Sequence, residues 1–336
     1  MNSLKDLQNF LSQSPYQSCK KFILIDENTF SYCLPELIEE VDALNGAEIL
    51  EIESGEASKS LAIVEQLCGA LIESGADKSS ILISLGGGVI TDLGGFIASV
   101  FKRGIRHIVI PTTLLSMVDA SIGGKTAVNL AEIKNQIGTI YQPIFTAIHF
   151  PFLETLDQRQ ILNGAAEMIK IALVCDSDLW DKMRNHSPID EIGFDEELII
   201  SCINLKEAIV EKDLYEEDLR KILNFGHSIG HAFESLSISK GEDLLHGEAV
   251  AMGIYYEIRL SELILNFPKN KAKEIYDYLR KYYKIESIKE NINEILNYII
   301  ADKKNFEDKF QFILLKDIAD PQINIPISKE ELLATE

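Results

Sequence analysis

Three histidines and a glutamate in the second half of the chain have side chains and spacing suited to holding a divalent metal. His227 and His231 are four residues apart, so a helix would present both on one face, and His246 stands at the predicted start of another helix. Three of the six histidines thus fall within twenty positions. Glu167 would complete a His/His/carboxylate set with an open coordination position. A lone histidine is usually structural, whereas this grouping favours a metal site.

Several lysines lie where a cation could bind an anionic substrate. Lys170 follows Glu167 by three residues, on the same face of a predicted helix. Lys125 comes directly after two glycines, and Lys134 precedes an asparagine. Each lysine taken singly is more simply a solvated surface charge. Their clustering in glycine-rich or apolar segments of an acidic chain favours anion binding.

Three glycines at positions 86–88 follow a predicted buried strand, with Asp92 in the first turn of the next helix. Glycines let backbone N–H groups approach a pyrophosphate, and a helix N-terminus supplies partial positive charge. A tight turn would explain the glycines equally well. The segment also lacks the G-x-G-x-x-G fingerprint, so an ordinary Rossmann dehydrogenase is not indicated.

Composition narrows the classes of protein that fit. The length of 336 residues exceeds the roughly 100–200 of one domain, so two domains are expected. With 53 acidic and 32 basic side chains the net charge is −21, which argues against nucleic acid and anionic membranes as partners. The five cysteines are scattered and form no C-x-x-C pair, which favours a reduced cytoplasm. No apolar run resembles a signal peptide or a membrane span, so a soluble cytoplasmic protein is expected.

The elements that must position these residues change in character along the chain. Short apolar strands are predicted at 22–25, 81–85 and 108–110, with a helix at 61–72. Long helical periodicities follow at 158–174, 196–212, 246–265 and 269–283. Strands alternating with helices predict an open, mostly parallel α/β sheet with ligands at the carboxyl ends of its strands. We therefore predict an α/β domain over residues 1–150 and a mainly α-helical domain over 151–336.

Six motifs, taken in order, resemble the 3-dehydroquinate synthase family of sugar-phosphate cyclases, over roughly residues 50–316. They are Gly86-Gly87-Gly88-Val89-Ile90 with Asp92, residues 111–125, Lys134-Asn135-Gln136-Ile137-Gly138, Ala166-Glu167-Met168-Ile169-Lys170, residues 224–231, and Leu245-His246-Gly247-Glu248. The resemblance implies an N-terminal NAD-binding α/β domain and a C-terminal helical domain with one divalent metal, zinc or cobalt.

The resemblance also implies a role for individual residues. The metal ligands would be Glu167, His227 and His246. Around the substrate it implies Asp119, Lys125, Lys170, Lys206, Arg220, Asn224, His231, a lysine at Lys303 or Lys304, and Arg103 of the same or a neighbouring subunit. For NAD it implies Asp26, Glu56, Lys59, Gly87, Gly88, Asp92, Thr112, Thr113, Lys125, Lys134, Thr155 and Leu156.

The implied activity converts 3-deoxy-D-arabino-heptulosonate 7-phosphate to 3-dehydroquinate and phosphate, in the shikimate pathway of aromatic amino-acid biosynthesis. NAD would be oxidant and reductant within one cycle, and a homodimer is the family expectation. Three alternatives stay open: a related cyclase that makes an inosose or valiolone ring, a metal-dependent polyol dehydrogenase that consumes NAD, and a non-catalytic paralogue. The retained histidines, glutamate and cations argue against the last.

Overall fold

The computed structural model describes residues 2–130, 133–302 and 310–335. Its contacts divide the chain into two compact units, Met1–Gln160 and Ile161–Glu336. The domain boundary at residue 150 stays a prediction. Within the described ranges, no helix combines the length and the apolar character that crossing a bilayer requires.

The first unit is built on a five-stranded parallel sheet with strand order β2-β1-β3-β4-β7. Its strands are β1 Lys21–Asp26, β2 Glu48–Ile52, β3 Ile81–Gly86, β4 Arg106–Pro111 and β7 Phe145–Thr146, and a separate antiparallel pair is formed by β5 Lys125–Leu130 and β6 Ile133–Ile140. Its helices are α1 Leu4–Leu11, α2 Glu27–Tyr32, α3 Leu34–Glu40, α4 Leu61–Glu73 and α5 Gly88–Val100. The predicted open parallel sheet is confirmed.

The strands β1, β3 and β4 are mostly apolar because both of their faces are covered, as is usual in parallel sheets, whereas the edge strand β2 is largely exposed. Every residue of β3 is buried. Phe22 of β1 and Leu82 of β3 belong to one core with Leu93 and Ile97 of α5. Strand β3 ends at Gly86, so the glycines at 86–88 lie at its carboxyl end.

The second unit is mainly helical, as predicted. Its helices are α6 Gln158–Cys175, which starts in the last residues of the first unit, α7 Ser177–Met183, α8 Glu196–Lys212, α9 His227–Lys240, α10 His246–Leu265, α11 Lys269–Tyr282, α12 Ile292–Asp302 and α13 Lys329–Leu333. The sequence did not predict the antiparallel hairpin of β8 Phe310–Asp317 and β9 Asp320–Ile327.

Helices α9 and α10 pack closely because glycines line their contact. A Cβ added at Gly253 would lie 1.7 Å from the carbonyl oxygen of Gly226, and one added at Gly230 would lie 3.0 Å from that of Ala249. Gly226 precedes α9 with φ +80°, a left-handed conformation that glycine adopts without strain. Its N–H donates to Oε2 of Glu257 in α10 at 2.7 Å. The start of α9 is therefore fixed against α10.

Candidate active site

Helices α6, α9 and α10 bring the three predicted metal ligands together. Nε2 of His227 lies 3.5 Å from Oε1 of Glu167, and Nε2 of His246 lies 3.4 Å from the same oxygen. Ligand atoms bonded at about 2.0–2.1 Å to a tetrahedral ion lie about 3.3–3.4 Å apart. The side chains are thus spaced as a His/His/Glu site for a divalent ion requires.

Asn163, which the sequence analysis did not single out, fixes the start of α10 against α6. It lies one helical turn before Glu167, and its Oδ1 accepts a hydrogen bond from the N–H of Gly247 at 2.6 Å. A Cβ at Gly247 would come within 2.0 Å of the carbonyl oxygen of Asn163. The neighbouring His246 therefore reaches Glu167 from a fixed position. A polar residue one turn before Glu167, within the mostly apolar part of α6 after Gln160, was the available signal.

The charges around this group are buried. Glu167 is fully buried and forms an ion pair with Lys170, which is 1% exposed. Burial, assisted by the charge of Lys170, lowers the pKa of His227 to about 3. Burial also acts to lower the pKa of His246, but hydrogen bonds to Glu167 and Glu234 outweigh it and raise that pKa to about 10. The carboxylates of Glu167 and Glu234 thus lie on opposite nitrogens of the His246 ring, at 3.4 and 3.6 Å.

A cavity of about 350 Å³ opens beside the histidines. Three of its lining residues were predicted: Asn224, His227 and His231. Five polar lining residues were not predicted: Glu216, Lys221, Ser228, Gln311 and Asn324. The last two come from the unpredicted β8–β9 hairpin, and the Asn224 amide donates to the Glu216 carboxylate. The volume suits a small-molecule ligand.

The segment before α9 is organised by Asp213, another residue that sequence reasoning missed. Its carboxylate accepts hydrogen bonds from three backbone N–H groups that follow it. The donors are Glu217, Asp218 and Arg220, each at 2.9 Å. These bonds, that from Arg220 first, hold the pKa of Asp213 below its usual value. The folded segment directs the buried Arg220 guanidinium to the carbonyl of Leu214 at 2.7 Å and leads into Asn224.

Of the remaining cations predicted around the substrate in the second unit, the structure describes Lys206 and Arg220. Lys206 on α8 is buried, and α8 contacts the turn Leu219–Asn224 that carries the buried Arg220. Lys303 and Lys304 lie outside the described residues. Lys170, Lys206 and Arg220 are therefore three buried cations of the second unit.

In the first unit, the predicted NAD residues Lys59 and Asp92 bind each other. Nζ of Lys59 lies 2.6 Å from Oδ2 of Asp92 and 2.6 Å from Oδ1 of Asn135. Burial raises the pKa of Asp92, and the charge of Lys59 opposes that rise. Glu56 accepts from Asn129 at 2.8 Å, and Asn129 in turn accepts from the N–H of Asn135 at 2.9 Å. The two asparagines join the β5–β6 hairpin to the segment before α4 and were not predicted.

The glycine segment lies at the carboxyl ends of β3 and β4. Gly87 precedes the first residue of α5, and no side chain caps that helix start. A Cβ at Gly87 would meet Cγ2 of Thr113 at 3.1 Å, and the N–H of Thr112 donates to the Gly86 carbonyl at 3.1 Å. Adjacent parallel strands thus bring Gly87, Thr112 and Thr113 together, in the place where open α/β sheets bind ligands.

The other predicted residues of the first unit are more spread out. Asp119, in the turn Ser116–Ala120, is near enough to Asp92 to help raise its pKa. Lys125 begins β5, Lys134 lies on β6, and Gly88 begins α5. Thr155 is exposed and Leu156 is half-buried. Asp26 caps α2, and Arg103 is exposed. Among the described residues, neither forms a hydrogen bond or an ion pair with Lys59 or Asp92.

Comparison with known protein families identifies the group to which this arrangement belongs. The family model of the 3-dehydroquinate synthase N-terminal domain matches residues 49–163, and that of its C-terminal domain matches residues 164–305. The chain belongs to the 3-dehydroquinate synthase family. The resemblance seen in the sequence motifs is thereby confirmed.

Relatives and solved structures of this family's fold span nearly the whole chain. A 3-dehydroquinate synthase of Parabacteroides distasonis is 42% identical over 98% of this chain and 93% of its own length. ValA, a 2-epi-5-epi-valiolone synthase from Streptomyces hygroscopicus solved with NAD+ and Zn2+ bound, is 28% identical with TM-score 0.85 over 95% and 90% of the two chains. A 2-deoxy-scyllo-inosose synthase, solved with carbaglucose-6-phosphate, NAD+ and Co2+, is 28% identical with TM-score 0.83 over 98% and 93%.

Proposed function

We propose that the chain is a 3-dehydroquinate synthase, a carbon–oxygen lyase that converts 3-deoxy-D-arabino-heptulosonate 7-phosphate to 3-dehydroquinate and phosphate. The observation that carries the proposal is the convergence of His227 and His246 on Oε1 of Glu167, at 3.5 and 3.4 Å. The two family models and relatives of that name support it. The proposed place in metabolism is the shikimate pathway of aromatic amino-acid biosynthesis.

The proposed cofactors are one divalent metal, zinc or cobalt, and NAD. Glu167, His227 and His246 would hold the metal, since their spacing fits a tetrahedral ion. Gly87, with no side chain to block its N–H, would receive the pyrophosphate at the start of α5. When bound, the metal supplies Lewis-acid polarisation of hydroxyls and NAD supplies reversible hydride transfer. The cofactors bound to the valiolone and inosose synthases support this assignment.

The proposed substrate carries a phosphate and a carboxylate, so it needs cations in a chain of net charge −21. Lys170, Lys206 and Arg220 are buried, and charge-assisted hydrogen bonds are stronger in buried sites than in water. Asn224 and His231 line the cavity, where an amide and an imidazole can donate to oxygens or carry a proton. Asp119, Lys125, Arg103 and a lysine at 303 or 304 complete the proposed substrate set.

A direct assay tests the activity. The purified chain is incubated with the heptulosonate phosphate, NAD and Zn2+ or Co2+, and released phosphate and cyclic product are measured. Chelation of the metal is expected to abolish turnover, and readdition is expected to restore it. Phosphate release that persists after complete metal removal would contradict the proposal.

Substrate choice separates this activity from that of the sister cyclases. Sedoheptulose 7-phosphate and glucose 6-phosphate lack the carboxylate of the proposed substrate. A site built for a carboxylate loses several kcal/mol, roughly 3–5, when a buried cation is left without its partner. We therefore expect the heptulosonate phosphate to be cyclised preferentially. Faster cyclisation of either other sugar would assign the chain to the valiolone or inosose type.

The fate of NAD separates a cyclase from a polyol dehydrogenase. In the proposed reaction the hydride removed from the substrate returns within the same cycle, so absorbance of NADH should stay flat while phosphate is released. NADH that accumulates in proportion to product would favour the dehydrogenase.

We further propose a homodimer in the cytoplasm. Closed twofold symmetry is the common solution for soluble enzymes, and all five cysteines are free thiols, which suits a reducing compartment. Light scattering combined with gel filtration would give the mass of the assembly.

A further inference from the structure

We propose that Glu234 is a positioning residue of the metal site, which holds the imidazole of His246 in the orientation and tautomer that present Nε2 to the metal. The inference rests on the metal site of the proposed function and extends it, because Glu234 is neither one of the three ligands nor one of the proposed substrate residues.

Helix α9 places Glu234 where it can act on a ligand from another helix. His227, His231 and Glu234 are at positions i, i+4 and i+7, so they share one face of α9. Oε2 of Glu234 lies 3.6 Å from Nδ1 of His246, the first residue of α10. Nε2 of the same ring lies 3.4 Å from Glu167. The His246 ring therefore stands between two carboxylates, one on each nitrogen.

The other ligand histidine shows what such a contact does. Nδ1 of His227 lies 3.2 Å from the carbonyl oxygen of Phe225. A carbonyl can only accept, so Nδ1 carries the hydrogen and Nε2 of the neutral ring keeps its lone pair for the metal. An ionised carboxylate is likewise an acceptor only. Once a metal displaces the proton from Nε2 of His246, Glu234 keeps the remaining hydrogen on Nδ1, as the Phe225 carbonyl does in His227.

A carboxylate does more than a carbonyl can. Its negative charge attracts the N–H at Nδ1 across the 3.6 Å that separate Nδ1 from Oε2, and it makes Nε2 a better donor to a metal. Only 8% of the Glu234 side chain is exposed, so water screens this charge little. Removal of such partners of metal-bound histidines typically weakens metal binding about 10–100-fold.

One competing arrangement uses the same atoms. His231, Glu234 and His246 also have ligand atoms within 4.8 Å of one another, so Glu234 would be a ligand itself if an ion were bound there. The number of ions per chain and the effect of Glu234 substitutions on that number distinguish the two arrangements.

The experiment compares Glu234→Gln and Glu234→Leu with the unaltered chain and with Glu262→Gln. Glu262 is the matched control, because its carboxylate is also hydrogen-bonded in the helical unit but to the Tyr276 hydroxyl. Metal-free proteins are titrated with Zn2+ against a chelator for affinity. They are then loaded with Co2+, whose visible absorption reports coordination geometry, and the metal content per chain is measured.

We expect about 10-fold weaker Zn2+ binding for Glu234→Gln, which keeps an acceptor oxygen but loses the charge, and about 100-fold for Glu234→Leu. The Co2+ spectrum should change in the leucine variant, and Glu262→Gln should bind as the unaltered chain does. Unchanged affinity and spectrum in both Glu234 variants would overturn the inference while leaving the metal site intact. Two ions per chain, falling to one in the variants, would make Glu234 a ligand instead, and an unaltered chain that binds no metal would overturn the site itself.

Discussion

Buried charges are stabilised differently in the candidate sites of the two units. In the first unit, Lys59 is bound by Asp92 and Asn135, so cation and anion neutralise each other inside the protein. In the second unit, two histidine nitrogens converge on one oxygen of Glu167 at a spacing suited to an ion. In the first arrangement protein groups bind the buried cation, whereas in the second the ligand atoms of Glu167, His227 and His246 lie close enough together to hold an ion.

Substitutions in the two units should therefore affect different properties of the protein. A change in the self-neutralised pair should appear mainly as lost stability, since a buried charge is left without its partner. A change in the histidine group should appear mainly as lost metal affinity and activity. Stability should therefore be measured beside metal affinity or activity in the variants of His246, Lys59 and the glycines.

The largest expected effect is that of His246→Ala on turnover. Loss of one ligand removes several kcal/mol of transition-state stabilisation, so activity should fall by roughly 10³-fold, with the chain still folded by circular dichroism. His186→Ala is the control, because that histidine is exposed and pairs with Glu191 at 3.1 Å. Full activity in demetallated His246→Ala would show that the reaction does not need a metal.

The next effect is that of Lys59→Met on stability. Breaking a buried ion pair costs about 3–5 kcal/mol, and because the Asp92 side chain is 19% exposed we expect about 3 kcal/mol of unfolding free energy with metal affinity unchanged.

The double substitution Lys59→Met with Asp92→Leu should recover most of the loss, since no charge is then left unpaired. Lys273→Met removes an exposed i,i+4 partner of Asp277 and should change stability by less than about 0.5 kcal/mol. A Lys59→Met variant as stable as the unaltered chain would show that the first unit does not depend on its internal pair.

Glycine-to-alanine substitutions at tightly packed positions should each lower the free energy of unfolding by about 2 kcal/mol. Their effect on metal affinity should differ between the two units. At Gly253 a Cβ meets the backbone carbonyl of Gly226 at 1.7 Å, so α9 and α10 must move apart and metal affinity should fall. At Gly94 a Cβ meets Ser84 Oγ at 1.9 Å, which should destabilise the first unit and leave metal affinity unchanged.

Hydrogen exchange on peptides from each unit would locate both effects. Gly69→Ala is the control, because nothing lies within 4 Å of its added Cβ and alanine is the better helix former. Metal affinity that falls equally in the Gly94 and Gly253 variants would contradict the separation.

The smallest effect concerns His107, whose Nε2 lies 2.9 Å from Ser84 Oγ in the core of the first unit. Burial lowers its pKa to about 3 from an ordinary 6.5. Between these values the unfolded chain binds a proton that the folded chain does not, so this contribution to stability is complete above pH 6.5 and is lost as pH falls. Each pH unit below 6.5 lowers the free energy of unfolding by about 1.4 kcal/mol through His107.

Urea unfolding at pH 6.5 and 5.5 should therefore show a smaller change in His107→Gln than in the unaltered chain. His186→Gln, which removes an exposed histidine, is the control. Equal pH dependence in the His107 variant and the unaltered chain would mean that this buried histidine does not oppose protonation.

The sequence predicted those parts of the molecule that a local pattern determines. The strands around 81–85 and 108–110 and the helices beginning at Gln158, Glu196 and His246 are confirmed, because apolar periodicity reports directly which face is buried. The family motifs identified Glu167, His227 and His246, which the structure brings together, although their role as ligands stays a prediction.

Residues that act through distant contacts could not be predicted in the same way. Asn163 matters because it meets Gly247 eighty-four positions later, and Asn135 matters because Lys59 lies seventy-six positions earlier. The β8–β9 hairpin follows a helical region and has irregular register, so its alternation was weak. The predicted lysine at 303 or 304 lies outside the described residues.

The glycine-lined contact between α9 and α10 has a consequence for the order of folding. His227 and His246 are nineteen positions apart, whereas Glu167 precedes His227 by sixty. Because a short loop closes at lower entropic cost than a long one, we expect the two helices to meet before α6 docks on them. The histidine pair would then exist on the folding pathway before its carboxylate partner arrives. A metal captured at that stage would bias the chain toward the native docking of α6.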